Sequence, residues 1–206
     1  AVEVGDVIPR LDARAFRRSA RMRYENMLKE QQLAEIVPEP PAAGESIHAV
    51  SNGKYDFWTW IPQMLAWIGR ADEFYASSWT VARPNVVELL NVWDAGKIAP
   101  GRVAFLMGTY FKRRETAVYT MLLEGLRRRG GRFVAFENHC KITLLSNAAA
   151  GAWLTVEGSA NLNGNPRMEQ YVLTNDRGLY EFHRGWMEEM LANTETNPTR
   201  PEDLRP

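Results

Sequence analysis

Apolar residues along this chain fall into two alternating patterns from about residue 73 onward. Short apolar runs at 73–80, 102–107 and 132–136 have the length and composition of buried strands. Between them, 85–95 and 113–129 carry apolar residues at three- and four-residue spacing, as in Val118, Leu122 and Leu126, and predict amphipathic helices. Arg83-Pro84 marks the start of the first helix and Gly96 its end, and Gly130-Gly131 closes the second. Shorter strands follow at 141–145, 153–157 and 170–174, with a turn at 146–151, and a final amphipathic helix spans 179–191. This alternation predicts an α/β fold with a mixed, largely parallel sheet flanked by helices.

The first fifty residues read differently. Arg10, Arg14, Arg17, Arg18, Arg21 and Arg23 cluster on a stretch expected to be helical to about Ile36. Val37-Pro38-Glu39-Pro40-Pro41-Ala42-Ala43-Gly44 breaks it, because consecutive prolines cannot continue a helix. The expected organisation is a basic N-terminal arm and Pro-rich linker over 1–50, a domain over 51–192 and a flexible polar tail over 193–206. The arginine cluster admits two readings: contact with nucleic-acid phosphates or an acidic partner, or the solvated face of a helix packed on another subunit. In the aromatic stretch 55–67, Trp60, Met64, Trp67 and Ile68 recur at helical spacing, which favours core or subunit packing over base stacking.

Composition narrows the function classes. With 206 residues, 45% of them hydrophobic and 24% charged, the chain can bury a substantial core. Its 25 basic and 25 acidic residues balance, so no global field draws nucleic acid, and any such binding must use local patches. Lys112-Arg113-Arg114 and Arg127-Arg128-Arg129 are candidates, though a solvated helix face explains them equally well. A single cysteine excludes an internal disulfide framework and a cysteine-pair zinc site, and fits a reducing compartment. The longest apolar stretch, 57–68, is too short to span a membrane, and no signal peptide is read at the start. The expected location is cytoplasmic, with no membrane partner.

The residues with chemistry to offer lie late in the chain. A phosphodiester resists attack because its charge repels nucleophiles, so a catalyst must neutralise its oxygens, supply a nucleophile and protonate the leaving oxygen. His139 is the candidate nucleophile. Lys141, two residues along an expected strand, leaves the same face and can meet a phosphate oxygen. Ser159 and Asn161 bear the same relation at the next strand end and offer neutral donors, while Gly158 admits close approach. Glu169 opens the following strand, placed to accept from the other nitrogen of His139. Cys140 is expected in the core on the opposite face, and His183, beside Glu181 and Arg184, at the surface or an interface. His48 has no evident partner, and Asn175-Asp176 reads as a turn.

His139-x-Lys141 followed by Gly158-Ser159-x-Asn161 resembles the phospholipase D superfamily signature, histidine-x-lysine with a downstream glycine-serine-x-asparagine. Glu169, within Asn165-Pro166-Arg167-Met168-Glu169, matches the acidic position that follows it. The element order over 73–192 resembles one lobe of that fold; the arm is not covered. The core also resembles phospholipase D-like proteins of phages and prophages, which would place it in the host cytoplasm or a virion. Two features depart from the pattern: Ser146 stands where the family usually has an aspartate five residues after the lysine, and the lysine-to-glycine spacing is longer.

The motif occurs once, as in the small bacterial endonucleases of the family that form homodimers. The resemblance therefore implies a metal-independent phosphodiesterase, without cofactor, acting on nucleic acid, with DNA favoured over RNA. His139 of one subunit would form a phosphohistidine, and His139 of the second copy would protonate the leaving oxygen and then activate water. Lys141, Ser159 and Asn161 would hold the phosphate, and Glu169 would orient the histidine. The alternative is a non-catalytic nucleic-acid-binding or phage-type assembly protein that keeps the phosphate pocket, for which Ser146 and the neutral charge leave room. A lipid-cleaving enzyme has no support in the sequence.

Overall fold

In the computed structural model, the alternating apolar pattern folds around a single sheet. The structure describes residues 14–18, 23–26, 33–52, 55, 57–163 and 167–196. Among them are strands β1 Arg14–Arg18, β2 Arg23–Asn26, β3 Glu45–Ser51, β4 Glu73–Ser78, β5 Val103–Gly108, β6 Arg132–Phe136, β7 Ile142–Asn147, β8 Ala152–Gly158 and β9 Glu169–Asn175. The helices are α1 Leu33–Ile36, α2 Trp60–Ile68, α3 Arg83–Asp94, α4 Thr109–Arg114, α5 Thr116–Arg128 and α6 Arg177–Thr196. The nine strands lie in the order β2-β1-β3-β9-β8-β7-β4-β5-β6.

The sheet is mixed, as expected, but mostly antiparallel rather than largely parallel: its parallel part is confined to β4, β5 and β6, because the chain from β7 onward reverses through short connections instead of helical crossovers. The three parallel strands are joined through α3 and through α4 and α5, and parallel neighbours require such crossovers. The remaining pairings are antiparallel. Between β7 and β8 the chain reverses in a short turn ending at Gly151, whose φ of 63° suits glycine.

Each face of the sheet carries its own apolar layer. On one face Phe74, Phe105, Leu145, Val156 and Leu173 pack against Trp60 and Met64 of α2, Leu89 of α3 and Leu122 and Leu126 of α5. On the other, α6 lays Tyr180, Met187 and Leu191 over Tyr75, Leu106, Val134 and Leu144. The aromatic stripe of α2 is thus core material, with Trp60 and Met64 fully buried. No helix among the described residues is long and apolar enough to cross a membrane.

The first fifty residues differ from expectation. Residues 14–18 and 23–26 form an antiparallel strand pair rather than a helix, and β1 also pairs with β3. β3, expected to be linker, pairs with β9 along its whole length. Its two-residue period turns Glu45, Ile47, Ala49 and Ser51 inward, while His48 is exposed. Leu33, Ile36 and Val37 join the main core, so the folded unit begins well before residue 51. At the other end α6 continues to Thr196. The side chains of the arm's arginines and residues 197–206 lie outside the described residues.

Candidate active site

The C-terminal ends of β4, β5, β6 and β8 and the N-terminal ends of β7 and β9 share one edge of the sheet. The crevice beyond the carboxyl ends of parallel strands is where open α/β sheets bind ligands. His139, Lys141, Gly158, Ser159 and Glu169 all come to this edge, as their positions beside consecutive strands predict.

His139 and Lys141 sit in the loop before β7 rather than on a strand. The alternation of a pleated strand therefore does not orient them; direct contact does. The Lys141 ammonium lies 2.8 Å from Nδ1 and 3.2 Å from Nε2 of His139, and donates to the His139 carbonyl at 2.6 Å. An ammonium has only protons to offer, so the ring nitrogen it meets serves as acceptor. Lys141 is buried, whereas His139 is exposed. Burial lowers the Lys141 pKa, against the opposing pull of Cys140 and Glu169. Cys140 is exposed, contrary to expectation, because it lies in this loop and no pleat turns it toward the core.

The β8 end is tied to both neighbours. Gly158 N–H donates to the Lys141 carbonyl at 3.1 Å, and Ser159 N–H donates to the Gln170 carbonyl at 3.1 Å. The Ser159 hydroxyl donates to Glu169 Oε2 and accepts the Gln170 N–H at 3.1 Å. In the single chain, then, the Glu169 carboxylate meets Ser159, and its charge acts on Lys141. His139, Lys141, Gly158 and Ser159, with Glu157, line a recess of about 400 Å³. Asn161 lies outside that lining, with its Oδ1 buried and without a hydrogen-bond partner among the described residues. Its backbone is fixed through Leu162, whose N–H donates to Ser78 Oγ at 3.1 Å and whose carbonyl accepts from Ala82 N and Asn85 Nδ2.

Sequence reasoning missed the residues that hold this frame. Asn138 is buried and donates to Ser77 Oγ and to the Leu106 carbonyl, both at 2.9 Å, while its Oδ1 accepts the Cys140 N–H at 2.9 Å. The adjacent serines at the end of β4 thus each secure one motif: Ser77 holds the His139 loop through Asn138, and Ser78 holds the segment after Ser159 through Leu162. Two polar residues in a row at the end of an apolar strand were the available signal, since buried hydroxyls there need partners.

Beneath the recess lies a second polar group. His183, expected at the surface or an interface, is instead buried within the chain, only 6% exposed. Tyr180, His183, Met187 and Leu191 follow the three- and four-residue spacing of the buried face of α6, and this register outweighs the charged neighbours. Trp186 Nε1–H donates to His183 Nδ1 at 3.1 Å, which leaves Nε2, 3.3 Å from Glu157 Oε1, to carry the proton toward that carboxylate. The bond from His183 holds the Glu157 carboxyl below its ordinary range, with burial opposing.

Ser146 does not belong to the site. It lies five residues beyond Lys141 along β7, about 16 Å away at the usual strand rise. It is buried, and the Tyr180 hydroxyl reaches both its Oγ at 3.2 Å and Glu73 Oε2 at 3.1 Å. Ser146 pairs directly with Glu73 across the sheet, so an aspartate there would set two carboxylates side by side. The departure from the family pattern removes no group from the recess.

The depressed Lys141 pKa sets a pH dependence. Its ammonium loses its proton below the ordinary lysine value of 10.5, so any function resting on that charge should decline over an alkaline limb below that pH. A pH profile of kcat/KM for a phosphodiester should show this limb, and Lys141→Arg should move it upward out of range. A limb unmoved in the arginine variant would assign it to another group. The sign for folding is opposite: the unfolded state binds the extra proton in that window, so this group's contribution to stability rises with pH across it.

No protein-family model matches the chain, and no curated protein matches it in sequence. Solved structures are similar in fold. Nuc from Salmonella typhimurium, a phospholipase D family member, is 13% identical, with a TM-score of 0.48 over 63% of this chain and 85% of its own. Polyphosphate kinase from Porphyromonas gingivalis is 14% identical, with a TM-score of 0.51 over 72% of this chain. The match spans about a quarter of the kinase, 26% of its length. The kinase likeness is one of fold, and it agrees with the mixed α/β architecture expected from the sequence.

Proposed function

We propose that the protein is a phospholipase D-like phosphodiesterase acting on nucleic acid. The observation that carries this reading is the meeting of an exposed imidazole, His139, with the Lys141 ammonium and Ser159 around one recess. These groups can attack phosphorus, neutralise a phosphate oxygen and donate a hydrogen bond to another. On substrate binding the Lys141 ammonium would exchange the imidazole for a phosphate oxygen, which frees a ring nitrogen to attack. A P–N bond forms as the bond to the leaving oxygen breaks, and the imidazole of a second copy supplies that oxygen's proton. The same group then takes a proton from water, whose oxygen displaces His139 and releases the phosphate ester. Two copies of the recess facing each other across a two-fold axis would make one site.

The reading leads to a test with purified full-length protein. Hydrolysis of a single-stranded oligonucleotide should persist in excess chelator. Specific activity should fall on dilution as mass measurements show the dimer giving way to monomer. A strict divalent-metal requirement would contradict the mechanism, and full activity of a monomer would contradict the shared site. Retention of the oligonucleotide without cleavage would favour a binding protein that keeps the phosphate pocket.

A further inference from the structure

We propose that Trp79, Tyr110 and Arg114 form a stacking strip that receives the nucleobase beside the phosphate at His139, so that the site selects unpaired nucleic acid. The inference rests on the nucleic-acid reading above and specifies the form of the substrate. Trp79 follows β4 and Tyr110 lies on α4, which continues directly from β5 at the same edge of the sheet. Their rings are stacked, with centroids 4.4 Å apart and planes 19° apart. The Trp79 ring centroid is 5.6 Å from that of His139. Beyond Tyr110, the Arg114 guanidinium lies 5.3 Å from the ring centroid and Arg114 Nε donates to the Tyr110 hydroxyl. The order outward from the nucleophile is therefore imidazole, indole, phenol, guanidinium.

Two observations separate this strip from ordinary packing. Trp58, Trp60, Trp67, Trp93, Trp153 and Trp186 all belong to or pack against one of the two apolar layers, whereas Trp79 and Tyr110, both only partly covered, belong to neither. The indole is also held in place: a Cβ on Gly108 would lie 2.5 Å from Trp79 Cδ1, so the glycine makes room for it. A ring fixed in advance and left partly open loses little entropy on stacking against a base. The short helix α4 that carries Tyr110 also supplies positive charge beside the strip, with Arg113 and Arg114 exposed. Aromatic rings interleaved with cations along a phosphate path are how single strands are bound without sequence readout. A duplex keeps its bases stacked inside, out of reach of such a strip.

The test uses full-length His139→Ala protein, in which binding is read without cleavage by fluorescence anisotropy of short labelled oligonucleotides. The probes are oligothymidylate, an abasic strand of equal length and charge, and a duplex. Oligothymidylate should bind more tightly than the abasic strand by on the order of 5- to 100-fold. Adding Trp79→Ala should bring that ratio close to one, while Trp79→Phe should keep much of it. Arg114→Ala should reduce the salt slope of binding by about one. Trp79→Leu, which preserves apolar bulk, should behave as alanine does and guards against a folding defect. Equal affinity for the two single strands, a preference for the duplex, or a ratio unchanged in both Trp79→Ala and Trp79→Leu would overturn the strip. A parent protein that binds none of the probes would instead overturn the nucleic-acid reading.

Discussion

Replacing His139 with alanine should lower phosphodiester hydrolysis by on the order of 10³- to 10⁶-fold, as removal of a nucleophile does elsewhere. At about 1.4 kcal/mol per tenfold change, that loss corresponds to roughly 4–8 kcal/mol of transition-state stabilisation. The fold should survive, for a structural reason. The loop is anchored by Asn138, through Ser77, the Leu106 carbonyl and the Cys140 N–H, and the exposed imidazole is not part of that anchor. Lys141 would still donate to the carbonyl of residue 139. Circular dichroism and the denaturation midpoint should therefore match those of the parent while turnover disappears. Turnover within a few-fold of the parent would remove His139 from the chemistry.

Gly158→Ala should lower stability by about 1–3 kcal/mol and reduce turnover as well. A Cβ at this position would lie 2.8 Å from the Gln170 carbonyl oxygen, 2.9 Å from Tyr171 Cδ1 and 3.1 Å from Phe57 Cε2. The first of these is backbone of the neighbouring strand, and Tyr171 is itself buried between Tyr55, Phe57 and Trp60, so neither can yield easily. Relief would come from parting β8 and β9 at the point where Ser159 bonds Gln170 and Gly158 bonds Lys141. One methyl group would thus disturb both halves of the recess. Denaturant titration beside a turnover assay reads both effects, and an unchanged midpoint would show that the strand ends have more freedom than these distances allow.

The sequence made the central architecture legible where the period of apolar residues was clear. α3 and α5 and the strands from β4 to β9 lie within a few residues of the predicted positions, because each buries one regular face or a short apolar run. β3 was masked by the prolines before it, although Ile47 and Ala49 alternate with polar residues as an edge-to-core strand requires. The strands at 14–18 and 23–26 read as helix because an arginine-rich stretch has no two-residue period of its own; they pair with each other and with β3. The expected site residues converge on one edge because they flank consecutive strands. Their finer geometry was not legible, since it depends on long-range partners: Asn138 on Ser77, Leu162 on Ser78, and Trp79 on Tyr110. His183 is buried against its local sequence context, because the register it shares with Tyr180 and Met187 outweighs the charged neighbours Glu181 and Arg184. Ser146 shows the reverse: a departure conspicuous in the motif proves remote from the recess once the strand is in place.

The most direct test of the central claim is to mix the protein with excess oligonucleotide, quench within the first turnovers under alkaline conditions that preserve P–N bonds, and map the product by peptide mass spectrometry. A nucleotide fragment attached through phosphorus to His139, and absent when Lys141 or His139 is replaced, is the predicted result. Steady hydrolysis with His139 unmodified throughout, and an adduct-free first turnover, would contradict it.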